Sequence, residues 1–249
     1  MLKEIFKGAH FLLHGARLIF SRELRHFIVV PLVINILLFA VFIAFIAVYF
    51  SHYINDFTQS YPAWLMTLLG WLFWLIFWMA GFLLTTFLFT VLTNIIGSPF
   101  YGLLAEKTER IFCTPITLSH TSISFWKVFM RTLSREALKL LYFLPWLLLC
   151  LGLFLFPLTF PVAPFLWWIV LSWIAAIQYV DYAADNQHIS LKTAIQHFKK
   201  SPLVVFGFGA AVTLCMTIPG ANLIVPPAAV VGGTLLWHSL YTKHQNELH

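Results

Sequence analysis

From Ala63 to Ala105 the chain carries no Lys, Arg, His, Asp or Glu, and the same holds from Phe27 to Ser51. At about 1.5 Å per residue, even the shorter run exceeds the roughly 30 Å of a bilayer's hydrocarbon core. Backbone groups in hydrocarbon must hydrogen-bond within their own segment, so runs of this kind fold as helices. The chain is therefore expected to be an all-α integral membrane protein. Of its 249 residues only 10% are charged, against roughly 25% in soluble domains.

Taken in order, residues 1–26 place Leu2, Ile5, Phe6, Ala9, Leu12, Leu13, Ala16, Ile19 and Phe20 at three-and-four spacing beside Lys3, Lys7, Arg17 and Arg22. That pattern describes a helix lying in the membrane interface. The first transmembrane helix is expected over 27–55. The second is expected over 63–105, with room for a break at Gly97-Ser98-Pro99, where a capping hydroxyl followed by proline restarts a helix. Residues 106–139 carry Lys127, Arg131, Arg135 and Lys139 at every fourth position, one basic stripe on a helix. Such a stripe suits a helix on anionic headgroups and equally suits the lining of an anion path.

Two later regions break the spanning pattern. The apolar arms 140–156 and 165–180 flank a linker holding Pro157, Pro161 and Pro164. Each arm reaches only about 25 Å. The arms 203–217 and 227–241 repeat the design around Pro219, Gly220 and Pro226. Proline stops a helix and frees backbone groups, which a membrane tolerates only where protein or water covers them. Residues 140–180 and 202–241 are thus expected to be helical hairpins that enter the membrane part-way, joined by a surface segment over 181–201. Ser190 is read as the cap of a short surface helix there. Interrupted segments in pairs are also the sequence mark of a transport site. The expected architecture is two long transmembrane helices, two Pro-broken, partly inserted hairpins and amphipathic surface helices, in one membrane domain.

The formal charge is +6, which in such a chain reflects loop orientation and anionic lipid rather than nucleic acid. Every Lys and Arg falls in 3–25, 107–139, 192–200 or at 243. If each hairpin returns to the side it left, these regions share one face, which the positive-inside rule makes cytoplasmic, with the Asp56 link outside. No signal peptide is expected, since the first apolar run starts only at Phe27 and has full membrane length. Cys113, Cys150 and Cys215 lack the spacing of a disulfide framework or zinc site. His10 and His14 lie one turn apart with no third ligand nearby and are assigned no metal. No cofactor is expected, and no hydrolase, nucleotide or metalloprotease motif is present, which argues against an enzyme and against a nucleotide-driven pump.

One constellation suits oxyanion binding. Arg22, Arg25 and His26 precede the first membrane helix and face the same aqueous layer as the restart from Ser98 to Glu106. Arginine forks match tetrahedral oxyanions, and backbone N–H groups at a helix start add donors without titratable charge. Sulfate or phosphate would fit; a pair of interface anchors is the other reading of the arginines. Asp181 and Asp185 lie one turn apart near the end of the first hairpin. Pairing with the basic stripe and proton coupling are both open to them.

The runs Arg25 to Leu38, Ser98 to Glu106 with its Gly102-Leu-Leu-Ala-Glu106 core, Ile177 to Asn186 with Asp181-Tyr-Ala-Ala-Asp185-Asn186, and Met216 to Pro226 together resemble the bacterial sulfate permease family CysZ. The resemblance covers nearly the whole chain. It implies an inner-membrane protein that admits sulfate for cysteine biosynthesis, assembled as a homo-oligomer with membrane lipids around it. It also implies the two long helices and two partly inserted hairpins read above. Carried over by position, it places sulfate-binding residues at Arg25, His26, Gly102, Leu103 and Leu104. Where relatives often have a second arginine this chain has His26, largely neutral at pH 7, and Arg22, one helical turn earlier, is a substitute. The accessory alternative is a structural membrane protein whose basic face binds anionic lipid or a partner.

Overall fold

A computed structural model describes residues 1–26, 100–113, 125–218, 221 and 224–246, together with helical positions 29, 33, 36, 37, 40, 41, 44, 71, 72, 75, 76, 79 and 81; residues 125–129 and 243–246 are described by backbone alone. The two long spans expected over 27–55 and 63–105 lie largely outside the described residues, as does Ser98. Contacts divide the chain into one unit of residues 1–29 and 98–249 and a second of 30–97. All regular structure among the described residues is helical, and the protein is an all-α membrane protein.

In the first unit α1 is Leu2–Leu18, α2 covers residues 100–112, α3 is Phe125–Leu153, α4 is Ala163–Asn186, α5 is Leu191–Lys200, α6 is Pro202–Met216 and α7 is Val225–Asn246. Their boundaries follow local chemistry. Pro164 and Pro202 sit in the first turns of α4 and α6, where no N–H is missed. Ser190 caps α5, its hydroxyl accepting the Thr193 N–H at 3.2 Å, and His197, Lys199 and Lys200 complement the dipole at the other end. The C-terminus of α4 closes with His188 in the left-handed region at φ 58°. Its N–H donates to the Asp185 carbonyl and the Ile189 N–H reaches back to that of Ala184, the pairing of a Schellman motif.

The membrane helices are longer than the apolar arms. Met130–Leu153 and Ala163–Asn186 each run 24 residues and are apolar enough to cross a membrane. The extra length comes from charged ends: α3 begins within the basic stripe, and α4 continues through Asp181 and Asp185. The connection between them is a compact apolar tip. Leu158 is 92% exposed, and Leu155, Phe156 and Phe160 are exposed with it. Its polar groups are turned inward: the Thr159 hydroxyl donates to the Leu153 carbonyl at 2.5 Å, and the Phe160 and Ala163 N–H groups donate to the Phe156 and Thr159 carbonyls. A self-satisfied, uncharged tip of this kind belongs in apolar surroundings. The second hairpin differs, because α5 meets α6 at a bend of 104° and α6, with 15 residues, reaches only about 22 Å.

The core of the unit is the packing of α1, α4, α6 and α7, with Ile19, Ile177, Val180, Val205, Phe208, Val231, Leu236 and Trp237 fully enclosed. Helix α1 does not simply rest on the interface. Its face holding Gly8, Leu12 and Gly15 is buried. A Cβ on Gly8 would strike the Val204 carbonyl, one on Gly207 the Ile5 carbonyl, one on Gly15 that of Ala228 and one on Gly232 that of Phe11. The opposed glycines let backbones touch, the close approach that holds helices together where lipid removes the hydrophobic drive. At the crossing of α4 and α6, Gly209 lies against the Ser172 carbonyl, and the Ser172 and Thr213 hydroxyls share a hydrogen bond of 3.0 Å. The opposite face of α1 leaves Leu2, Phe6, Leu13 and Phe20 exposed beside Lys3 and Lys7. His10 and His14 lie with ring centroids 6.2 Å apart, and no group able to hold a metal occurs among the described residues.

Candidate functional site

Helices α3 and α4 run antiparallel, so a stripe of cations at every fourth position on one can meet carboxylates four apart on the other. The Arg135 guanidinium grips Asp181 with both arms, Nε to Oδ2 at 3.0 Å and Nη2 to Oδ1 at 2.6 Å, while Nη1 donates to the Ile189 carbonyl at 2.6 Å. One turn away Arg131 Nε faces Asp185 Oδ2 at 3.5 Å, and its Nη1 lies 3.1 Å from His188 Nδ1. One turn in the other direction Lys139, 1% exposed, donates to Glu136 at 2.6 Å and sits 4.6 Å above the Tyr182 ring. Gln178 completes the network by donating to the second Glu136 oxygen at 3.0 Å. Three cations meet three carboxylates, so the layer has no net charge. Of the stripe that suited either headgroups or an anion path, Arg131, Arg135 and Lys139 are directed inward, with Lys139 buried and Arg135 largely enclosed against α4, while the Lys127 side chain lies outside the described residues. Asp181 and Asp185 form the other half of this lock.

A second polar chain joins α2, α4 and α7. Glu109, 1% exposed, accepts from Gln187 Nε2 at 2.6 Å, and Gln187 Oε1 accepts from Trp237 Nε1 at 3.0 Å. Glu109 Oε2 is buried without a hydrogen-bond partner among the described residues. Desolvation pushes this carboxyl above the usual carboxylate range, partly offset by the Gln187 hydrogen bond and the nearby His238. A carboxyl whose pKa rises on folding holds its proton more tightly folded than unfolded. Its contribution to stability is fully present below the unfolded carboxylate pKa and is lost as pH climbs through the raised folded value. Glu109→Gln should therefore raise the thermal midpoint of detergent-solubilised protein at pH 8 by more than it does at pH 4. A shift of equal size at both pH values would mean that the carboxyl titrates normally.

Apart from Ser98, which lies outside the described residues, the residues of the expected oxyanion site occupy the segment after α1 and the first turns of α2. Leu24 is buried and anchors that turn, while Arg22, Arg25 and His26 are exposed. Neither arginine has a carboxylate within 4.0 Å among the described residues, in contrast with those of α3. The turn borders α2 electrostatically: the Glu23 carboxyl is held below its usual range chiefly by its own backbone N–H, with Arg22 and Lys107 adding to the effect. On α2, Leu104 is fully buried and Leu103 exposed, so the helix is set by one leucine while the next faces outward. The Gly102 carbonyl accepts from Asn186 Nδ2 at 2.8 Å, tying this turn to the end of α4. Among the described residues a Cβ at Gly102 would find only Asn186 Oδ1, at 3.9 Å, so none of them requires glycine there. Glu106 is ion-paired one turn along with Arg110. Its carboxylate is thus directed to a guanidinium.

Sequence reasoning did not find the glycine contacts of α1 or the Glu109–Gln187–Trp237 chain. The first left a signal, since Gly8 and Gly15 are seven residues apart and fall on one helix face; the second joins residues far apart in sequence and left none.

The model of the family described as Sulfate transporter CysZ/Etoposide-induced protein 2.4 matches residues 11–227. A sulfate transporter CysZ of Pseudomonas aeruginosa is 36% identical over 231 residues, covering 92% of this chain and 94% of the relative. One of Vibrio parahaemolyticus is 38% identical over 247 residues, covering 96% of each. One of Pseudomonas fluorescens is 35% identical over 243 residues, covering 95% of each. With the family model spanning the residues of the arginine turn, α2 and the α3–α4 lock, the chain belongs to the sulfate transporter CysZ/etoposide-induced protein 2.4 family.

Proposed function

We propose that the protein is a sulfate permease of the bacterial inner membrane, a multi-pass homo-oligomer surrounded by lipid, supplying sulfur for cysteine biosynthesis. The observation that carries this reading is the pair of exposed arginines, Arg22 and Arg25, with no carboxylate within 4.0 Å among the described residues, in a turn that lies near Lys107 of α2, the helix on which a Cβ at Gly102 would meet no described atom closer than 3.9 Å. Relatives over nearly the whole chain bear the name sulfate transporter. In this reading Arg25, Arg22 and His26 give the guanidinium and imidazole donors, backbone N–H groups at the restart from Ser98 toward Gly102 give the neutral ones, and Leu103 and Leu104 shape the turn behind them. Sulfate is fully ionised at neutral pH and has no proton to donate, so a site made only of donors favours it. Glu106, held by Arg110, stands at the edge of the site rather than against the anion.

The test is uptake of labelled sulfate into liposomes holding the purified protein, with and without a pH gradient. Arg25→Ala should weaken sulfate binding by about tenfold to a hundredfold, the range for a charged hydrogen bond, while the protein stays folded. Gly102→Ala should also fold, because among the described residues its Cβ meets nothing closer than 3.9 Å, yet should slow uptake if the anion passes the backbone there. Unchanged affinity in folded Arg25→Ala would remove that residue from the site. Uptake that needs inward proton flow would bring Asp181, Asp185 and Glu109 forward as coupling groups, and none above empty liposomes would overturn the permease reading.

A further inference from the structure

A groove of about 500 Å³ opens where α5 packs beside α3. Its floor is apolar, formed by Leu138 and Tyr142 of α3 with Leu191 and Ile195 of α5, and its rim carries Lys192 and Lys199. The two lysines are seven residues apart, on one face of α5 and about 10 Å apart along its axis. Both are exposed, and neither has an acidic partner within 4.0 Å among the described residues. The groove stands at the level where α3 changes character. Lys139 is the last cation of the internal lock, and no charged residue follows until Asp181. Below it Leu138, Tyr142, Pro145 and Leu149 fall on one helix face at spacings of four, three and four. Leu138 is 54% and Leu149 59% exposed. This stripe descends about 16 Å along α3.

The geometry points to a binding site for an anionic diacyl phospholipid, with the headgroup phosphate between Lys192 and Lys199 and one acyl chain along the Leu138–Leu149 stripe. Charge and shape both select this occupant. Paired ammonium groups attract phosphate at a membrane surface, and an apolar stripe continuous with the groove has room for a hydrocarbon tail. A free anion would use the lysines and leave the floor bare. The site lies on α3 and α5, away from the arginine turn, and does not depend on the sulfate reading.

Native mass spectrometry of the full chain in detergent tests this with two probes of identical acyl chains, palmitoyl-oleoyl phosphatidylglycerol and palmitoyl-oleoyl phosphatidylcholine. The phosphatidylglycerol should be retained preferentially. Lys192→Gln together with Lys199→Gln should lower its retention by about tenfold or more, whereas Lys192→Arg with Lys199→Arg should preserve it. Leu138→Gln should weaken both lipids, because it touches the floor. Equal retention of the two lipids, or no loss in the double glutamine variant, would overturn the assignment. So would displacement of the phosphatidylglycerol by an equal concentration of inorganic phosphate, which would make the lysines a simple anion site.

Discussion

Arg135→Ala should destabilise the protein by about 3–5 kcal/mol, the cost of leaving a buried charge without its partner. The Arg135 side chain is 11% exposed and that of Asp181 1%, so water cannot replace the lost guanidinium. The substitution leaves the Asp181 carboxylate with Lys139 Nζ at 3.8 Å as its nearest remaining cation, and it strips the Ile189 carbonyl of a donor at the turn out of α4. Thermal unfolding of detergent-solubilised protein should show the midpoint falling by roughly 10 °C or more. Asp181→Asn should act in the same direction. Removing both charges with Arg135→Met and Asp181→Leu should restore much of the loss, because two matched apolar groups no longer need each other. A double variant as unstable as the sum of the singles would show that the two residues act independently. In the same lock the cations already face carboxylates, which engages donors that an anion would otherwise use.

Gly15→Leu should be comparably disruptive through packing alone. The atoms that a Cβ at Gly15 would meet are backbone, the Ala228 carbonyl and the Gly232 N–H, so no side-chain rotation can relieve the clash. Helices α1 and α7 must separate, costing about 1–3 kcal/mol or more and lowering the thermal midpoint by roughly 5–10 °C. Leu13→Ala, on the exposed face of the same helix, is the control and should change little. If Gly15→Leu melts like the parent protein, α1 does not pack on α7. Because α1 leads directly into the turn of Arg22 and Arg25, partial separation should also reduce sulfate binding. A fall in binding with an unchanged melt would separate the two effects.

The hairpin proline clusters were legible because proline acts locally, fixing φ and removing a donor, and three of them close together stop a helix where the single Pro145 is carried inside α3. Ser190 as a cap is legible for the same reason. The extent of α3 was not. An apolar arm starting at 140 is what hydropathy reports, yet the helix begins at Phe125, because Arg135 and Lys139 lose their cost of burial once Asp181, Asp185 and Glu136 face them. Glu136 is a neighbour on the same helix, but Asp181 lies 46 residues from Arg135 in the sequence, beyond what periodicity on one helix can reveal. The candidate site was legible in kind, since guanidinium and glycine at a membrane edge suit an oxyanion wherever they occur. That Gly102 is open and Gly8 and Gly15 are closed could not be read, because an absent side chain looks the same in both cases.

Composition and local pattern by themselves determined that this chain is helical, enters a membrane and is interrupted twice by proline, because bilayer thickness, backbone hydrogen bonding and the fixed φ of proline act on each segment alone. Only the tertiary structure decided which charges stay available. Arg131, Arg135 and Lys139 look equivalent to Arg22 and Arg25 in the sequence, but α4 brings carboxylates to the first group and no described residue brings them to the second. The difference between a structural ion pair and an exposed arginine with no described carboxylate beside it is one of neighbours, and neighbours are set by how the helices pack.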